Sequence, residues 1–143
     1  MYELVKKKNP VLKILIFIIG ISITAQLIKV ITQPAPIDKQ LMSMAQEINK
    51  QCPIVVDSLI KLTHIMALPG RVLQYNYSLY KNNKEEVDTL LLKKEMKEFI
   101  INTYSTNPIL KAFKDEGVSI TSNFYDQSSK FICKIYVDVS EVK

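Results

Sequence analysis

One histidine, two cysteines and three glycines are all that this 143-residue chain offers toward the usual catalytic, metal-binding and phosphate-cradling motifs. A general base, a thiol nucleophile or a zinc ligand set would have to be assembled from His64, Cys52 and Cys133. The spacing gives no support for any of these. There is no CxxC pair and no Cys/His cluster of the kind a zinc site needs, so no metal and no cofactor are assigned. Asp57, Ser58 and Thr63 lie near His64 in sequence. A working triad also needs a nucleophile held at a sharp turn and a base oriented by a third group, and no such pattern is present. On a strand's apolar face a lone histidine is more often a hydrogen-bonded core residue than a base. No catalytic residue is therefore named, and the enzyme reading, a small hydrolase using Ser or Cys with His64, ranks last.

The cysteines have a structural use instead. An even count in an oxidising compartment favours a bridge, and the expectation is a Cys52–Cys133 disulfide. Closing a loop of about 80 residues would restrict the unfolded chain by roughly 4 to 5 kcal/mol in the chain-entropy account. The competing reading is two buried thiols acting as small hydrophobes.

The tyrosines are the other candidate functional set. Strand alternation sends Tyr80, Tyr125 and Tyr136 away from the apolar side and turns Tyr75 and Tyr77 toward it. Outward tyrosines supply contact area at small entropic cost, which makes Tyr80, Tyr125 and Tyr136 the candidate partner surface. Ordinary cross-strand pairing is the plainer explanation of the same residues.

The compartment follows from the N-terminus. Residues 11–31 form an apolar run whose only charges are Lys13 and Lys29, and Lys6, Lys7 and Lys8 precede it. A hydrocarbon core about 30 Å thick takes roughly 20 helical residues, and terminal lysines can snorkel to the interface. The run reads as a signal anchor with a basic cytoplasmic segment, residues 1–10, before it. The alternative is a signal peptide cut after Ala25, releasing a soluble factor of inhibitor or immunity type.

Of the 19 bases and 14 acids in the chain, five lysines and one acid fall before Val30, leaving 14 bases against 13 acids beyond it. A near-neutral domain lacks the basic stripe that displaces counterions from a phosphate backbone, so nucleic acid is excluded as a partner. The partners expected are the membrane, through residues 11–31, and another envelope protein. Nothing in the sequence fixes the oligomeric state.

The elements that must position these residues begin after a Pro-rich stalk, residues 32–37. Asp38 is placed to cap a helix through about Gln51, with Leu41, Met44, Ala45, Ile48 and Cys52 on its buried face. A strand over Val55–Leu68 puts Val56, Ile60, Leu62, His64, Met66 and Leu68 on one side. Pro69-Gly70 turns the chain into a second strand, Val72–Tyr80. Asn83 and Glu86 form a capping-box pattern that opens a helix from Lys84 to about Tyr104, with Val87, Leu90, Leu91, Phe99 and Ile100 as its apolar stripe. Asn107-Pro108 starts a short helix that Gly117 ends. Val118, Ile120 and Phe124 then lead through a turn at Asp126–Ser129 to a last strand, with Phe131, Cys133, Ile135, Val137 and Val139 on one face.

The expected fold class is α+β in the order α-β-β-α-α-β-β, an antiparallel sheet with helices packed on one face, occupying residues 38–143. The function expected of it is that of a membrane-anchored, extracytoplasmic, non-catalytic binding or assembly module.

Overall fold

A computed structural model of the chain describes residues 36–142. The expected membrane run at residues 11–31 lies outside the described residues. Among those described, no helix is long and apolar enough to cross a membrane.

Helix α1, Ile37–Asn49, buries Ile37, Leu41, Met44, Ala45 and Ile48 on the face that their three- and four-residue spacing defines. Pro36 occupies the N-cap position, and its carbonyl accepts from the amides of Lys39 and Gln40. Asp38 lies one position into the helix, where its charge complements the positive end of the dipole. Three strands follow: β1, Ile54–Val55; β2, Ile60–Leu68; and β3, Val72–Leu79. The β2–β3 turn is Pro69-Gly70-Arg71, with φ of 81° at Gly70 and 59° at Arg71. Glycine accepts a positive φ freely, whereas at Arg71 it must be compensated. Arg71 Nη1 donates to the Glu116 carbonyl at 2.7 Å, and the Arg71 carbonyl accepts from the Ser119 amide at 2.9 Å.

A 3-10 turn, Lys84–Glu86, carries the Asn83/Glu86 arrangement, with the Asn83 amide donating to Glu86 Oε2 at 3.0 Å. The long helix α2 starts later than that pattern suggested, at Thr89–Thr106, because Asp88 caps it by accepting from the Leu91 amide. Its inward face is also different. Leu92 and Tyr104 are buried, Met96, Ile100 and Ile101 pack against the core, and Leu90 is 82% exposed. Helix α3, Pro108–Asp115, has proline at its first position and ends at Gly117, where φ is 72°. Strands β4, Ser119–Asp126, and β5, Phe131–Val137, form the closing hairpin. Asp126 Oδ1 accepts from the amides of Ser128 and Lys130 in its turn, and Oδ2 accepts from Lys84.

The five strands form one sheet in the order β1-β2-β3-β4-β5. The expected all-antiparallel sheet is corrected at its centre, where β3 and β4 run parallel from Val72↔Ser119 to Leu79↔Asp126. The connection between them contains α2 and α3 and is long enough to carry the chain back to the end at which β3 began. The other pairs are antiparallel. The result is a mixed sheet in a small α+β domain.

One face of the sheet is apolar. Ile60, Leu62, Ile65, Leu73, Leu79, Ile120, Phe124, Cys133, Ile135 and Val137 are buried there together with the inward residues of α1. Strict alternation along β2 would have placed His64 and Met66 among them. A bulge between Leu62 and His64 advances the phase by one residue. Ile65 turns inward at 1% exposure, and His64 and Met66 turn out. A second irregularity, at Phe124/Tyr125, pairs Tyr125 with Phe131 and exposes the latter, which had been expected on the core side with Cys133.

Beyond the two-residue β1, the outer main chain of β2 has no described strand to pair with at Ile65. The side chain of Asn49 takes that role. Its Oδ1 accepts from the Ile65 amide at 2.7 Å and its Nδ2 donates to the Ile65 carbonyl at 2.8 Å. This clamp holds the end of α1 against β2 just past the bulge. Asn49→Ala leaves both Ile65 groups without that partner and is expected to lower unfolding free energy by about 2 kcal/mol in denaturant titrations. Accelerated hydrogen exchange at Ile65 should accompany it. A loss indistinguishable from zero would show that the clamp contributes nothing.

Candidate functional site

The sheet's other face is the candidate site. Cross-strand register arranges it in three rows, Met66–Gln74–Thr121–Tyr136, His64–Asn76–Asn123–Lys134 and Lys61–Ser78–Tyr125–Phe131. The described helices pack elsewhere: α1 lies against β2 and α2 against β5, with their buried residues in the core of the apolar face.

The floor of this face is polar and closely bonded. Asn76, 1% exposed, accepts at Oδ1 from Gln74 Nε2 at 3.1 Å and from Asn123 Nδ2 at 3.2 Å. Its Nδ2 reaches the His64 carbonyl at 3.5 Å. Thr121 Oγ1 donates to the Ile135 carbonyl, and Thr63 Oγ1, at the bulge, donates to the Asn76 carbonyl. Asn123 Oδ1 is buried and finds no donor among the described residues. Buried polar atoms normally have partners, so this acceptor is an unfinished contact.

The rim is aromatic and apolar. Phe131 is 48% exposed, Tyr136 44% and Met66 43%. Tyr125 meets Phe131 edge-on with ring centres 5.8 Å apart. Tyr80 lies under Lys61, whose Nζ is 4.1 Å from the ring centre, and its hydroxyl donates to the Asp57 carbonyl at 3.3 Å. The Tyr136 hydroxyl donates to Asp138 Oδ2 at 3.2 Å. Tyr125 and Tyr136 stand in register rows of this face, and Tyr80, one residue past β3, lies beneath Lys61 of the same face. Alternation hid Phe131 and Met66, because both follow strand irregularities, and the polar ladder of Asn76 and Asn123, because an amide in a strand gives no signal of burial.

The residues from which chemistry could have been built do not converge. His64 Nδ1 contacts Thr63 Oγ1 at 3.2 Å on the exposed face. Asp57 Oδ1 is already committed to the amides of Leu59 and Ile60, at 2.6 and 2.7 Å, in the β1–β2 turn. No described hydrogen bond joins His64 to Asp57 or Ser58. Burial raises the Cys52 thiol above its ordinary range, against the lowering effect of a hydrogen bond from the Ile54 backbone. Burial likewise raises Cys133, against the opposing charge of Lys93. Reactive cysteines are shifted the other way. Among the described residues no group of three or more His, Cys, Asp or Glu side chains could hold a metal ion.

The Cys52–Cys133 bridge is not formed; both are free thiols. Both side chains do belong to the core side, but Cys52 precedes β1 and Cys133 lies in β5, at opposite edges of the sheet. The strands they adjoin, β1 and β5, are four spacings or roughly 19 Å apart, whereas a disulfide tolerates Cα atoms only about 7 Å apart. Tyr77 and Phe124, stacked with ring centres 5.1 Å apart, occupy the register row between them.

That stack continues to Tyr75, 6.2 Å from Tyr77. Burial raises Tyr75 to about 12, and raises Tyr77 further still with the help of Tyr75 and Cys52. Tyr104 is raised by burial and then by Tyr75, and its hydroxyl donates to the Val118 carbonyl at 2.6 Å. All three hold their protons more tightly folded than unfolded, where phenols ionise near pH 10. Their contribution to stability is therefore complete below about pH 10 and is lost as pH climbs toward and past 12. Phenolate absorbance from these three rings should emerge only as the fold is lost. Tyr77→Phe should move the alkaline midpoint upward, and an unchanged midpoint would contradict the assignment.

A five-stranded mixed sheet with the described helices on its apolar face and a polar, aromatic-rimmed opposite face defines a small α+β domain. The same fold occurs in three solved structures. EpsS, a pilotin of the Vibrio vulnificus type 2 secretion system, is 11% identical with a TM-score of 0.60, over 75% of this chain and 92% of its own. A Pseudomonas aeruginosa protein described as a candidate secreted protein is 13% identical with a TM-score of 0.58, over 78% and 100%. AspS, the type II secretion pilotin of Vibrio cholerae, is 10% identical with a TM-score of 0.55, over 73% and 91%. These likenesses are of fold. No curated protein matches the sequence. The chain belongs to the family described as domain of unknown function DUF8479, whose model matches residues 36–133.

Proposed function

We propose that this protein is a non-catalytic binding or assembly module of the bacterial envelope, tethered by residues 11–31 with its N-terminus in the cytoplasm and its α+β domain outside. Its partner is another envelope protein, and it is bound at the open sheet face through Tyr80, Tyr125 and Tyr136. The observation that carries this reading is the exposed rim of Met66, Phe131 and Tyr136 around an amide floor in which Asn123 Oδ1 finds no donor among the described residues. Aromatic anchors around preorganised polar groups are what recognition surfaces are built from. Two of the fold neighbours are secretion-system pilotins and a third is described as a candidate secreted protein, which fits an extracytoplasmic assembly role. The enzyme reading has less to stand on, because no described hydrogen bond joins His64 to an acid and both thiols are raised rather than activated.

A photo-reactive amino acid placed at Lys61 or Tyr136 in the full chain, in its host, tests the surface directly. Both positions should yield adducts with the same envelope protein, whereas Leu90 on α2, 82% exposed, should not. Adducts from Leu90 alone, or from no position, would reject the open face. The intact mass of the same preparation separates the tethered form from one cut after Ala25.

A further inference from the structure

We infer that the free edge of β5 is a strand-addition surface at which two copies of this chain pair antiparallel about Ile135. The two edges of the sheet are treated differently. At one end β1 is only two residues long, and the Asn49 side chain takes both main-chain groups of Ile65 beyond it. At the other end β5 runs seven residues, and no described strand lies beside it. A strand edge of that length is a template for another chain unless something blocks it. Phe131 and Tyr136 stand exposed along it.

The register of pairing follows from the strand itself. Thr121 Oγ1 donates to the Ile135 carbonyl at 3.3 Å, so that carbonyl faces β4. Alternation then turns the main-chain groups of Lys134 and Tyr136 outward. A two-fold axis at Ile135 sets Lys134 against Tyr136 of the second copy, and the converse, as two hydrogen-bonded pairs. Four main-chain hydrogen bonds result. Cys133 then lies against Val137 of the second copy on the core side, which keeps apolar residues with apolar ones.

Neighbouring registers fail. Sliding by one residue opposes core-side and open-face residues. Centring on Lys134 places two ammonium groups against each other, which is destabilising. Centring on Tyr136 runs the ladder past Val137 into the 3-10 turn Val139–Glu141. The Lys134–Tyr136 pairing is of a kind the fold already uses, since Lys61 lies 4.1 Å over the Tyr80 ring.

This inference does not depend on the envelope partner, because its readouts need no other protein. Lys134→Cys and Tyr136→Cys are each placed in the full chain, in detergent, with Cys52→Ser and Cys133→Ala removing the native thiols. Oxidation of the two variants mixed should give several-fold more covalent dimer than oxidation of either alone. In parallel, sedimentation equilibrium should find wild-type dimer and Tyr136→Pro monomer. Proline there removes the outward-facing N–H, together with the ring that donates to Asp138, and leaves the β4–β5 main-chain hydrogen bonds in place. Cross-linking that does not rise on mixing, or a wild-type chain that is monomeric at every concentration tested, would overturn the pairing. If the cysteine variants fail to fold, the wild-type and Tyr136→Pro masses still decide it.

Discussion

The bulge between Leu62 and His64 governs this fold. One additional residue in β2 reverses the facing of everything after it, so that Ile65 joins the core while His64 and Met66 reach the opposite side. β1 ends opposite Leu62, and just past the bulge Asn49 from α1 takes both main-chain groups of Ile65 in two short hydrogen bonds. Helix position, strand phase and edge protection are thereby linked at one place. Thr63, the residue at the bulge, ties it inward to β3 through the Asn76 carbonyl.

From that phase come two faces with different properties. The core side stacks Tyr75, Tyr77 and Phe124 across the central parallel pair, where the hydroxyls of Tyr75 and Tyr77 are costly to ionise. The other side sets amides on β3 and β4 within an aromatic rim. A buried amide cluster is rigid when its bonds are made, and Asn76 makes them to both neighbours. Among the described residues His64, Asp57 and the two thiols do not converge.

Much of this was legible in the residues. The spacing of Leu41, Met44, Ala45 and Ile48 located the buried face of α1. Pro69-Gly70 and Gly117 located turns that need positive φ, and alternation along β3 turned Tyr75 and Tyr77 toward the core, against which both pack half-buried. Other features leave no local trace. A bulge is a single extra residue in an otherwise regular strand, so the facing of His64 was inverted. Alternation reports which side a residue faces and nothing about lateral position, so Cys52 and Cys133 seemed within reach of each other while lying at opposite edges. Nor does it report strand direction, which is why the parallel pairing of β3 and β4 had to come from the crossover. Asn49, a polar residue at a helix end, reads as solvated until its partner on β2 is known.

The strand phase itself can be measured through the one histidine in the chain. Carbethoxylation of the native protein, followed by mass spectrometry of the modified peptide, reports whether the His64 ring meets solvent. The bulged β2 predicts rapid modification of His64 in the folded state, at a rate close to that of the unfolded chain. Protection of His64 until the protein unfolds would return the ring to the core and contradict the phase on which both faces rest.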